Sequence, residues 1–200
     1  MPLLLWGGSS GTGASQRSTI LSDNFNRADA ANLGANWDVY TSFQTPQVVT
    51  NTCRALSAGV NAASGWSAGP ALNNNQYAKA QIASWVDSDS HVGVICRGSI
   101  GANNNFYLLI ARRQGNTQLY RVDAGVLNPL AFVANPGWAV NDTVELEVIG
   151  TTLTAFRNGS SISLTSSDGI YASGRAGIWV NSNVSINNVY ADNWEAGNTG

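Results

Sequence analysis

Two glutamates stand two residues apart in the stretch TVELEVIG, and of all the side chains in this sequence Glu145 and Glu147 are the best spaced for acid–base chemistry. On an extended strand the side chains at i and i+2 share a face. Their carboxyl groups could therefore approach the about 5–5.5 Å separation at which a retaining glycoside hydrolase uses one as nucleophile and the other as acid. The same alternation has a plainer reading: Val144, Leu146 and Val148 form the inward face of a half-solvated strand, and the glutamates its water-facing side. No third acidic residue follows on that strand, so the expectation is that the protein is not an enzyme. The single histidine, His91, lies in DSDSHVGVICR as a strand-edge residue rather than a base or a metal ligand.

The aromatic residues offer a second chemistry. The chain has 7 tryptophans, and a flat indole with a polar N–H suits the apolar face of a sugar ring. Trp66 in AASGWSAGP, Trp85 beside DSDS and Trp138 in ANPGWAVND lie in loop-like contexts and are the expected carbohydrate platforms, while Trp37, Trp179 and Trp194 are expected to fill core or seam. Cys53 and Cys96 are too few for a zinc site; they read as two small buried thiols or as one bridge.

Stepping from these residues to what must hold them, only 11% of the chain is charged and the net charge is -2. Ten Lys and Arg spread among twelve Asp and Glu make no basic face, which excludes a nucleic-acid binder. No apolar run approaches the roughly 18 residues of a membrane span, so no membrane insertion is expected. The opening MPLLLWGGSSGTGASQ is too short in its apolar run, and too poor in basic residues, for a secretory signal. It reads as an apolar hook, Leu3, Leu4, Leu5 and Trp6, on a flexible Gly/Ser tether.

Short apolar-alternating runs recur between clusters of Asn, Gly, Ser and Asp, the pattern of an all-β protein. Candidate strands include WDVYTSF, VVTNTCRAL, QYAKAQIASWV, HVGVICRGS, NFYLLIARR, TVELEVIG, TLTAFRN and RAGIWVN. Asn158-Gly159 between two such runs is a strong hairpin signal, since both residues accept the positive φ of a type I′ turn. About a dozen antiparallel strands require two stacked sheets, a jelly-roll sandwich. The segments DNFNRA and DNWEA are expected to pair as neighbouring strands, giving an arm over residues 1–20 and a sandwich over residues 21–197.

The stretches DNFNRADAANLGANWDV, HVGVICRG, NNNFYLLIAR, VELEVIGTTLTAFRNG, SDGIYASGRAGI and NNVYADNWEA resemble the concanavalin A-like and laminin-G-like jelly rolls of phage virion and bacterial surface proteins. That resemblance implies the fold across about residues 22–196. For function it implies a structural protein of a phage-like particle, a capsid decoration or tail component, assembled in the host cytoplasm and located in the virion. Its partners would be other virion proteins, further copies of the chain and a host-surface glycan; a free lectin is the alternative. The hook would dock on a neighbouring subunit. Related sandwiches often tie the first and last strands with calcium, and Asp23 and Asp192 occupy the matching places, where they could equally cap turns; no other cofactor is expected.

Overall fold

The computed structural model describes residues 16–99 and 104–200. All its regular elements are strands. The first five are β1 (Arg17–Asp23), β2 (Trp37–Val39), β3 (Pro46–Val49), β4 (Thr52–Ala55) and β5 (Ala62–Trp66). They are followed by β6 (Gln76–Trp85), β7 (His91–Ser99), β8 (Asn105–Arg112), β9 (Asn116–Asp123) and β10 (Val126–Ala134). The last five are β11 (Thr143–Ile149), β12 (Thr152–Arg157), β13 (Ser160–Ser167), β14 (Arg175–Asn181) and β15 (Val189–Thr199).

These strands form two antiparallel sheets stacked as a jelly-roll sandwich. The first runs β13-β12-β11-β6-β15-β4-β3, with β1 also paired to β15; the second runs β10-β9-β8-β7-β14-β5-β2. The core between them joins Ala78, Ala80, Val144, Leu146 and Val148 of the first sheet to Val94, Leu109, Ala111 and Ile178 of the second. Strand β8 explains why FYLLIA reads as an unbroken apolar run. Tyr107, Leu109 and Ala111 enter that core, whereas Phe106, Leu108 and Ile110 join Tyr40, Ile95 and Trp179 in a second buried cluster on the opposite face. A strand covered on both sides has no polar face to show.

The seam expected between the first and last segments is present. Strand β1 runs antiparallel to β15 from Arg17 opposite Thr199 to Asp23 opposite Trp194, and the Gly200 N–H donates to the Gln16 carbonyl at 3.0 Å. Because β1 starts at Arg17, residues 17–20 belong to the sheet and not to the arm. The hook residues Leu3, Leu4, Leu5 and Trp6 lie outside the described residues.

Two local expectations need correction. VVTNTCRAL is not one strand but a hairpin, β3 to β4, turned at Thr50 and Asn51 with φ of 50° and 59°. AASGW, expected as loop, is strand β5, pressed so closely on β14 that a Cβ added at Gly177 would stand 2.4 Å from the Ser64 carbonyl oxygen. The Asn158-Gly159 turn between β12 and β13 has the expected positive φ at both residues, 51° and 76°.

The closest approach along the seam is at Gly197, where an added Cβ would stand 2.0 Å from the Ser18 carbonyl oxygen. Gly197→Ala is therefore expected to push β1 off β15 and to cost about 1–3 kcal/mol, the range of an overpacked site. Urea unfolding midpoints of the variant and wild type at constant m-value check this.

Candidate functional site

The two glutamates of β11 share a face as expected, but that face is not open to water. Glu145 is 3% exposed and Glu147 8%. The Arg17 guanidinium lies across both, ion-paired to Glu145 and donating from Nε to Glu147 Oε2 at 3.1 Å. It is held there between the Tyr77 and Phe156 rings, 5.5 and 5.0 Å from their centroids. Burial pushes the Glu145 carboxyl up from its ordinary range, and the charges of Arg17 and Lys79 oppose that rise. The expectation of a half-solvated strand fails because β1, entering beside β15, lays an arginine over the outer face. The pair spaced for hydrolysis is a structural clasp.

The three expected aromatic platforms separate. Trp85 is buried and its Nε1–H donates to the Ser90 carbonyl at 3.0 Å; Trp138 is buried and donates to Thr117 Oγ1 at 2.7 Å. Neither ring offers a face to a ligand. Trp66, at the end of β5, is half-buried, and its Nε1 is enclosed without a hydrogen-bond partner. Its ring stacks on Trp194 with centroids 5.4 Å apart and meets Trp37 edge-on at 5.2 Å. Trp37 in turn packs on Trp194 at 4.7 Å. The expectation for Trp37, Trp179 and Trp194 as fillers of core or seam agrees with their burial.

Trp66 stands between two depressions. One, of about 330 Å³, is floored by Leu21 and Ala176 and walled by the loop from Ser67 to Leu72, with Arg175 at its rim. The other, about 300 Å³, is lined by Asp23, Arg27 and Asn36. Gly69 lets the loop turn beside the indole, since its φ of +76° lies in the left-handed region that favours glycine. The larger cleft thus combines an aromatic ring, apolar walls and one cation, a mixture suited to a ring that carries both apolar faces and hydroxyls.

Asp23 does not offer itself to a metal. Its Oδ1 accepts from the Phe25 N–H at 2.8 Å and Arg27 Nη1 at 2.6 Å, and its Oδ2 from Arg27 Nη2 at 3.0 Å and Trp37 Nε1 at 2.8 Å. A carboxylate has about four lone-pair sites, and all are taken. With Arg27 on both of its oxygens, Asp23 has no lone pair left to offer, so the donor set does not fit calcium. Burial, reinforced by the Asp23 charge, raises the Asp192 carboxyl above its usual range. Among the described residues no group of three or more His, Cys, Asp or Glu side chains could hold a metal ion.

The remaining residues take structural places. Cys53 and Cys96 are free and buried, as the first of their two readings holds. His91 stacks on Trp179 at 6.3 Å, and burial lowers its pKa to about 4, so it stays neutral at physiological pH. Sequence reasoning missed Arg97, which is 2% exposed. Its signal was a charge inside the otherwise apolar run HVGVICRG.

No protein-family model and no curated protein matches the chain. Solved structures do, and they show the fold, a two-sheet jelly-roll sandwich. A Bacillus subtilis protein of unknown function with a galectin-like fold superposes with a TM-score of 0.65 at 8% identity, over 93% of this chain and 99% of that one. The carbohydrate binding module CBM66 from Bacillus subtilis gives 0.60 at 15%, over 82% and 94%, and the Emp47p carbohydrate recognition domain 0.59 at 12%, over 94% and 99%.

Removing the clasp has a signed consequence. Arg17→Ala leaves two buried carboxylates without their cation and is expected to destabilise by about 1–3 kcal/mol. A carboxyl that holds its proton more tightly folded than unfolded loses stability as pH rises above its ordinary range. The loss should accordingly be larger at pH 7.5 than at pH 4.5, measured by chemical denaturation at both.

Proposed function

We propose that this chain is a non-enzymatic carbohydrate-binding domain whose sugar lies in the cleft beside Trp66. The observation that carries this is the half-buried Trp66 ring, lining a cleft of about 330 Å³. The exposed part of the ring covers an apolar sugar face, and Arg175 in the same lining offers N–H donors to its hydroxyls. Two similar folds are named as carbohydrate-binding, which supports the reading. A purely binding role is supported by Arg17, which occupies both carboxylates of the one pair spaced for glycoside hydrolysis.

A second reading places the domain on a phage-like particle, anchored by residues 1–16 to other virion proteins or further copies of the chain, with a host-surface glycan as ligand. It is supported by β1, whose pairing with β15 from Arg17 onward ties the segment after residue 16 firmly into the sandwich. The setting would be the virion. Deleting residues 2–16 should abolish incorporation into particles; unchanged occupancy rejects it.

A glycan array with the isolated domain tests the binding reading. Binding above background to at least one oligosaccharide is expected, with Trp66→Ala lowering affinity at least tenfold, about 1.4 kcal/mol, while thermal unfolding stays cooperative. An array without signal would sink it.

A further inference from the structure

Arg97 is a buried cation without an anion. Its guanidinium donates from Nε and Nη2 to the Asn74 carbonyl, at 2.9 and 2.6 Å, and from Nη1 to the Tyr171 carbonyl at 2.9 Å. Among the described residues no carboxylate comes within ion-pair distance of it, unlike Arg17, Arg27, Arg121 and Arg157. A guanidinium carries five N–H donors, so three are engaged by carbonyl oxygens and two are left over. Burial depresses the Arg97 pKa, yet an arginine keeps its charge. Burying a charge unpaired is costly.

The site around it is built rather than incidental. Arg97 itself has a φ of 52°, and its backbone N–H is held by Gln76 Oε1 at 2.9 Å. Gln76 Nε2 also donates to the carbonyls of Asn73 and Gly174. Gly174 lies so close that an added Cβ would stand 2.5 Å from the Arg97 carbonyl carbon. Two loops, at residues 73–75 and 171–174, are thereby pinned to one arginine. Beside them is a cavity of about 300 Å³, lined by Arg97 with Asn74, Asn75, Gly150, Thr151 and Ala172.

This cavity and the cleft at Trp66 have a third depression as common neighbour. A shallow depression along Leu72–Asn75 shares Leu72 with the cleft and Asn74 and Asn75 with the Arg97 cavity. We propose that the Arg97 cavity receives the oxyanion, a carboxylate or sulfate, of an acidic saccharide whose neighbouring rings run along this depression to Trp66. The saccharide part rests on the binding function proposed above; the oxyanion part rests on Arg97 alone. Two of the guanidinium's N–H donors remain for the oxygens of such a group, and Asn74, Asn75 and Thr151 in the same lining are neutral polar neighbours.

Ala172, exposed at the mouth, allows a test that leaves Arg97 in place. Ala172→Glu puts a carboxylate where the ligand's would sit. In thermal unfolding at matched ionic strength, sodium sulfate should raise the wild-type midpoint over sodium chloride by more than it raises that of Ala172→Glu, the variant removing the general salt effect. Equal shifts in the two proteins overturn the anion site. Calorimetric titration with a galacturonic acid trimer and with its methyl ester then separates the sources: the acid should bind roughly tenfold tighter to wild type and no tighter to Ala172→Glu. Equal affinity for acid and ester in wild type overturns the acidic-saccharide assignment. Sulfate protection together with a glycan array without signal leaves the anion site standing and refutes the carbohydrate function instead.

Discussion

The Asp23 carboxylate draws together three parts of the chain that would otherwise be independent. It caps the turn after β1 through the Phe25 N–H, clamps Arg27, and accepts the indole N–H of Trp37 at the start of β2. Hydrogen bonds to a charged group contribute about 1.5–3 kcal/mol each, and here they act at the point where the first sheet meets the second. Trp37 then fixes Trp194 and Trp66 by ring contact. The position of the ring at the candidate sugar cleft is thus set by a carboxylate that never reaches that ring. Arg27 brings the positive charge beside this carboxylate from within the same polypeptide.

The outer face of the first sheet repeats this device. Glu145 and Glu147 point away from the core, as alternation requires, and Arg17 crosses the seam to cover them. In both places an arginine near the start of the chain neutralises carboxylates that an ion or a substrate could otherwise have claimed. Arg97 stands out by contrast, because the carbonyls around it compensate its dipole needs and not its charge.

How much of this was legible in the sequence depended on where each signal lay. Alternation in TVELEV and the Asn158-Gly159 turn are local, and the structure has them as read. The Thr50-Asn51 turn was hidden because neither residue is glycine or proline, and β5 because Ala-Ala-Ser-Gly gives no apolar contrast. Trp85 and Trp138 were read from their polar neighbours, but an indole is satisfied by one acceptor from a distant strand or turn, Thr117 Oγ1 or the Ser90 carbonyl, and is then as buriable as phenylalanine. The clasp over β11 joins residues 130 positions apart, a separation no spacing rule reaches.

The seam also decides how the domain answers to tension. Gln16 and Gly200 emerge side by side from an antiparallel pair, so a load applied between them falls on one rung of the β1–β15 ladder at a time and parts it like a zipper. A load applied through one end and the far loops would instead shear many rungs at once. Pulled by both ends, the sandwich would open from the first rung, where Arg17 secures its two glutamates.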